Sequence, residues 1–235
     1  MGLSDLLAKV QQYAAGLVRD GDKERLHMTR DRALQINDRA ALVDMWTRDG
    51  RVFQFSNPAI QTPETMSAAG TALVLTDPSI RFTVPAGGLV VPISVSVKVA
   101  AVVAKDDLFA VIASETDTYS SGGETCTTPQ SLIVRGAGAI ADRASIITNV
   151  FHSDTAIVEA ALIRPRLLKV IKKEGVASAV ADFHFNPEFN ILKGDPLVYL
   201  EGPASFLVYH VQETTAAEGQ FTVTFAVLDP GSVGK

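Results

Sequence analysis

The sequence predicts an all-β domain, a sandwich or barrel, led in by a segment of different character. Three observations carry this reading. Short strand-like runs follow one another after Phe53, separated by turn signals such as "PAGG", "KDD", "SSGG", "KGDP" and "AAEGQ". The two longest runs alternate: Ile93, Val95, Val97 and Val99 against Ser94, Ser96 and Lys98, then Phe221, Val223, Phe225 and Val227 against Thr222, Thr224 and Ala226. Charge almost vanishes between Phe53 and Ala104, where only Glu64, Asp77, Arg81 and Lys98 remain.

Each element can be placed in order. Leu3, Leu6, Leu7, Val10, Ala14, Leu17 and Val18 fall at helical spacing, with Ser4 as a cap, so a helix is expected over Leu3–Val18. From Arg19 to Arg51, eight cations (Arg19, Lys23, Arg25, Arg30, Arg32, Arg39, Arg48, Arg51) meet seven anions (Asp20, Asp22, Glu24, Asp31, Asp38, Asp44, Asp49). Such mixing reads as an exposed helix or an extended arm, either solvated or pairing with neighbours, and not as a basic arm for phosphates. Strands are then expected over residues 80–84, 89–104, 108–114, 131–135, 145–151, 156–163, 179–185, 196–200, 204–213 and 220–228. Pro92 implies an edge, a bulge or a strand start. The run "RPRLLKVIKKEG" lacks period-2 order, has Pro165 near its start and ends at Gly175, so it reads as a helix. The last two strands, flanking "TTAAEG", read as a closing hairpin with Phe221, Val223, Phe225 and Val227 turned inward beside Phe206 and Val208 or their opposite-phase neighbours.

Composition excludes several functions. The chain has 235 residues, 47% hydrophobic and 20% charged, enough for a sizeable core. A net charge of -5 gives no support to nucleic-acid binding. A single cysteine, Cys126, excludes an internal disulfide and a cysteine-rich zinc site. No signal peptide or membrane-spanning run is visible, and Leu6 stands where a myristoylation signal needs Ser or Thr. The chain reads as a soluble product of the cytosol.

No catalytic, cofactor or metal residue is assigned. Gly136, Gly138 and Ala141 match G-x-G-x-x-A after a strand-like run, but the next segment reads as another strand, so the helix that would face a pyrophosphate is missing. Asp182 and His184 share one face of a strand near Glu188, giving only part of a metal shell, and no metal is expected there. Asp20, Asp22 and Glu24 begin like a calcium loop, but Arg25 replaces the required Gly and Asp31 the bidentate Glu. Cys126 has no neighbouring base in sequence. The histidines are His27, His152, His184 and His210. One basic cluster, Arg164, Arg166, Lys169, Lys172 and Lys173, falls in the run "RPRLLKVIKKEG"; as a helix it would put Arg166, Lys169 and Lys173 on one side and Leu167, Leu168 and Ile171 on the other, solvated or set against an acidic partner or packaged genome.

With "FTVPAGG" leading into a long alternating strand, and with the closing pair "PASFLVYHVQET…GQFTVTFAVLD", the chain resembles single jelly-roll shell proteins, the virus capsid and capsid-decorating subunits. The resemblance spans roughly residues 53–229 and rests on the pattern of strands. It implies residues 1–52 as an N-terminal helix and charged assembly arm, and residues 53–235 as a single jelly-roll antiparallel β-sandwich. It further implies a non-enzymatic virion subunit, made in the host cytoplasm, whose partners are its own copies and other virion proteins. Two other readings stay open: a cupin-like metal-dependent enzyme using His184, and a trimeric jelly roll of the tumour-necrosis-factor and complement type. The latter group lacks the arm and is normally secreted or membrane-tethered.

Overall fold

The computed structural model describes residues 27–28, 34–35, 39–58, 63–67, 73–99, 107–133, 147–158, 162, 164–173, 185–212 and 217–229. The expected helix over Leu3–Val18 and all but the last residue of the expected 179–185 strand lie outside the described residues. The chain divides into two compact units, Met1–Asp44 and Met45–Lys235. In the first, β1 (His27–Met28) pairs antiparallel with β2 (Leu34–Gln35). A helix, α1 (Arg39–Arg48), runs across the unit boundary within the charge-rich segment. It buries Trp46, and its end is closed by two reverse bonds, Gly50 N donating to Thr47 O (2.9 Å) and Arg51 N to Trp46 O (2.9 Å). Gly50, at φ 71°, supplies the left-handed residue that this closure needs.

The larger unit is an all-β sandwich of two antiparallel sheets. The strands are β3 (Val52–Ser56), β4 (Glu64–Ser67), β5 (Ile80–Val84), β6 (Leu89–Val99), β7 (Asp107–Ser114), β8 (Tyr119–Thr125), β9 (Gln130–Ser131), β10 (Thr148–Ile157), β11 (Arg166–Lys173), β12 (Glu188–Asn190), β13 (Leu200–Glu201), β14 (Ala204–Gln212) and β15 (Ala217–Leu228). One sheet has six strands in the order β11-β7-β14-β5-β10-β8. The other runs β12-β6-β15-β3-β9, with β13 added beside β6 and β4 beside β15.

Aromatic rings fill the space between the sheets. Phe82 of β5 lies 5.1 Å from Phe206, 5.8 Å from Phe225 and 6.1 Å from Phe55, so it touches both layers. Phe221, Val223, Phe225 and Val227 are buried, as are Phe206 and Val208, which matches the expected interior face. Their strands, however, do not form a hairpin. β14 pairs with β5 and β7, and β15 pairs with β3, β4 and β6 in the other sheet. The connection crosses from one layer to the other, so the two runs meet through side chains and not through a ladder. Alternation reports which face of a strand is oily, and either arrangement satisfies it.

Three further expectations change. Within the 164–175 run, Arg166–Lys173 is strand β11, not a helix, and pairs with β7 from Arg166↔Ala113 to Lys173↔Asp107. A register shift between Leu167 and Lys169 erases the period-2 pattern that would have marked it. The runs at 145–151 and 156–163 are one strand, Thr148–Ile157, whose irregular register includes left-handed Asn149 (φ 51°) and Ser153 (φ 54°). The 196–200 run is strand only at its end, where Leu200 pairs with Val90. Pro92 does mark a bulge: Thr224 pairs with Ser94 and Phe225 with Pro92, leaving Ile93 as the extra residue. On its other side, β6 pairs with β12 over Ser94–Ser96 and with β13 over Leu89–Val90, so Pro92 falls in the gap between those partners.

The two outer faces differ. That of the seven-stranded sheet is polar, with Gln54, Ser56, Thr222, Thr224 and Ser94 half-buried and Ser96 and Lys98 exposed. That of the six-stranded sheet is apolar at its centre. There Ala110, Ile112, Leu207 and Tyr209 are covered by Ile157, Leu73, Leu75 and Leu162.

Candidate functional site

The chain departs most from ordinary burial rules at Arg81. Alternation along β5 turns Ile80, Phe82 and Val84 to the core, which sends Arg81 and Thr83 to the outer face. That face is roofed where the chain leaves β7, and Arg81 is left with no solvent exposure. Its Nη2 donates to Thr83 Oγ1 (2.7 Å) and to Asp117 Oδ1 (3.2 Å), while the Tyr119 ring lies over the guanidinium at 4.6 Å. Asp117 Oδ1 also accepts from Thr83 Oγ1 and from Tyr119 N, each at 3.0 Å. Ser205 of β14 extends the network, its Oγ donating to Thr116 O (2.6 Å) and accepting from Thr118 N (3.2 Å). Tyr119 stacks on Phe151 at 5.1 Å. The network therefore fastens Thr116–Tyr119, the lead-in to the β8–β10 pair, onto β5 and β14.

The electrostatics are those of a clamp. Burial pulls the Arg81 pKa down, and the Asp117 carboxylate partly restores it. Nε and Nη1 of Arg81 have no hydrogen-bond partner, and the hydroxyl that meets the Asp117 carboxylate, Thr83 Oγ1, is itself buried. Its chemistry is positional.

Two histidines lie in the sandwich interior without solvent exposure. His210 on β14 has Asp107 Oδ1 at 3.8 Å, beyond hydrogen-bond range, and burial drives its pKa down to about 4. His152 on β10 is lowered first by burial, with Glu124 and Glu64 pulling the other way; its Nδ1 lies 2.9 Å from Ser153 Oγ. Both are neutral imidazoles at physiological pH. Burial pushes the Cys126 thiol far above its ordinary range, which makes it a poor nucleophile.

The basic cluster lies on an extended strand and not on a helix: Arg166, Lys169 and Lys173, opposite Ala113, Val111 and Asp107, share one side of β11, Lys172 takes the other, and Arg164 precedes the strand. Arg164 and Arg166 reach the two oxygens of Glu115 at 3.4 and 3.0 Å, and Lys169 binds Asp195 at 2.6 and 2.8 Å. Lys173 lies over the Phe185 ring at 6.0 Å. Arg164 and Arg166 also line an open cleft of about 430 Å³, with Glu115, Tyr199, Glu201 and Pro203 on its other walls. Its two cations and two anions balance, so the cleft has no net preference for an anion.

Of the other sequence candidates, Asp182, His184, Gly136, Gly138, Ala141 and the Asp20–Glu24 acids lie outside the described residues. Glu188 is described and is engaged locally. Burial would raise its carboxyl, but hydrogen bonds from Lys193 and Asn190 (2.6 Å) hold it below the ordinary range. Among the described residues no group of three or more His, Cys, Asp or Glu could hold a metal ion, and no helix is long and apolar enough to cross a membrane. Sequence reasoning missed the Arg81 network. The one available signal was Arg81 itself, a lone cation in a charge-poor strand. No protein-family model matches the chain, and no curated protein matches its sequence.

Proposed function

We propose that the chain is a single jelly-roll subunit of a self-assembling shell, a capsid or capsid-decorating protein without enzymatic activity. The observation that carries this reading is the strand order. With the short additions β4, β9 and β13 and the inserted β8 and β10 set aside, the larger unit has eight strands in sequence: β3, β5, β6, β7, β11, β12, β14 and β15. One sheet then reads first-eighth-third-sixth (β3-β15-β6-β12) and the other second-seventh-fourth-fifth (β5-β14-β7-β11). First pairs with eighth, second with seventh, third with sixth and fourth with fifth. This nesting is what a long antiparallel ribbon produces when it rolls up across two layers, the double Greek key of jelly rolls.

The step from this architecture to a shell is a fold-level analogy. It is supported by the internal pairing of Arg164, Arg166 and Lys169, which favours protein partners over nucleic acid. Copies of the chain are its main partners, with other virion proteins beside them, and the virion is its place. Negative-stain microscopy and mass photometry of the purified full chain test this. Closed particles or regular symmetric oligomers are expected. A monomer across micromolar concentrations and salt conditions would refute the reading, and so would stoichiometric metal in elemental analysis.

A further inference from the structure

We propose that the two edges of the six-stranded sheet, β11 and β8, bind one another between copies of the chain, so that the sheet of one subunit continues into the next. This rests on the shell reading and names the contact through which it operates. Among the described residues, β11 pairs only with β7 and β8 only with β10. An edge strand presents a row of backbone donors and acceptors that a second chain can complete. On β11 that row is flanked by exposed apolar side chains. Leu167 is 61% and Val170 50% exposed, and Leu167 is the most exposed large hydrophobic among the described residues.

Strand direction and charge together select the occupant. From β11 to β8 there are five antiparallel steps, so the two edges run in opposite directions. Side-by-side copies in the same orientation therefore bring β8 against β11 antiparallel, continuing the alternation of the sheet. Strand β11 carries Arg166, Lys169, Lys172 and Lys173 and no anion; β8 carries Glu124 and no cation. Arg166 and Lys169 are already bound to Glu115 and Asp195, yet β11 keeps a net positive charge, so pairing it with a second β11 sets like charge against like, which is destabilising across strands. Pairing it with β8 sets opposite charges together. Gly122 and Gly123, at φ 74° and 87°, kink β8, so the contact forms on either side of them, at Tyr119–Ser121 and Glu124–Thr125. A head-to-tail contact of this kind closes into a ring wherever its rotation allows.

Variants of the full chain with one added cysteine test the proposal, because the native Cys126 is buried. Val170→Cys is mixed in turn with Ser120→Cys, Ser121→Cys and Thr125→Cys under mild oxidation and read on non-reducing gels. These edges lie about 24 Å apart within one sheet, at about 4.8 Å per strand, so a disulfide must join two copies. The expected result is a heterodimer in at least one mixture and no dimer from Val170→Cys alone. The double variant should give a ladder, and Glu124→Lys should lose most of the cross-linked product. Efficient self-linking of Val170→Cys would overturn the proposal. So would assembly, seen by microscopy, with no mixture linking; the shell reading would then survive without this contact. A chain that stays monomeric at every concentration would overturn both.

Discussion

Arg81 combines a fully buried guanidinium with a counter-ion, Asp117, whose side chain is 44% exposed. The asymmetry decides which half of the pair matters for stability. Removing Asp117 leaves a buried charge facing only Thr83 and the Tyr119 ring, whereas removing the charge at position 81 leaves a carboxylate that water can solvate. Losing one partner of a buried pair costs about 3–5 kcal/mol, and partial exposure of Asp117 reduces this to roughly 2 kcal/mol. Asp117→Asn should therefore destabilise the fold by that amount in urea titration. Arg81→Met, which keeps most of the side-chain volume, should be near neutral. If Arg81→Met proved the more damaging, the guanidinium would be a net stabiliser and the asymmetry account would fail. Thr83 and Ser205 fit the same logic: each offers a hydroxyl on an otherwise apolar face and each is buried with a partner.

Strand β15 shows how one element serves two environments. Its inward residues place Phe225 within 5.9 Å of Phe53, 6.1 Å of Phe55 and 5.8 Å of Phe82. Its outward Thr224 sits between Gln54 and Ser94 on the polar face. Phe225→Ala should cost about 3–5 kcal/mol, a large share of a domain's stability, and should show as a lower urea midpoint and loss of soluble protein. Thr224→Ala should leave the midpoint nearly unchanged. The reverse ranking would mean that the polar face is itself buried in an assembly. Strand β11 teaches the opposite lesson. "RLLKVIKK" has residues that favour helices, yet pairing with β7, more than fifty positions earlier, holds it extended.

At the scale of the molecule, the nested pairing joins the first strand of the sandwich to the last, Val52–Ser56 to Thr222–Ala226, so the layers close only when both ends of the larger unit are in place. A cooperative core of this kind transmits the cost of any buried charge to the whole fold. His210 is the clearest case. Its pKa in the folded chain, about 4, lies below the ordinary 6.5, so the unfolded chain binds the proton first. The stability tied to its neutral form is complete above pH 6.5 and is lost as pH falls from 6.5 toward 4, on the order of 3 kcal/mol. Asp107 is the acid facing the ring, at 3.8 Å, and the Phe185 ring packs against the imidazole at 6.1 Å. His210→Gln should flatten the pH dependence of the unfolding free energy in that window, and an unchanged slope would assign the acid response to other groups.

The sequence by itself determined the class of the fold and much of its core. Alternation in residues 93–99 and 221–227 and the turn "PAGG" identify strands whose inward faces are the observed interior, because burial on one side of a strand must be written into every second residue. Pro92, with no N–H to give to a ladder, implied an edge, a bulge or a strand start, and the pairing with β15 made it a bulge. Tertiary structure alone decided the rest. That β14 and β15 lie in different sheets, that 166–173 is a strand, and that the polar "YSSGGET" forms the far edge all depend on partners distant in sequence. The Arg81 network was hidden for the same reason. Its members come from β5, the 116–119 segment and β14, and a buried cation is tolerable only once those three have met.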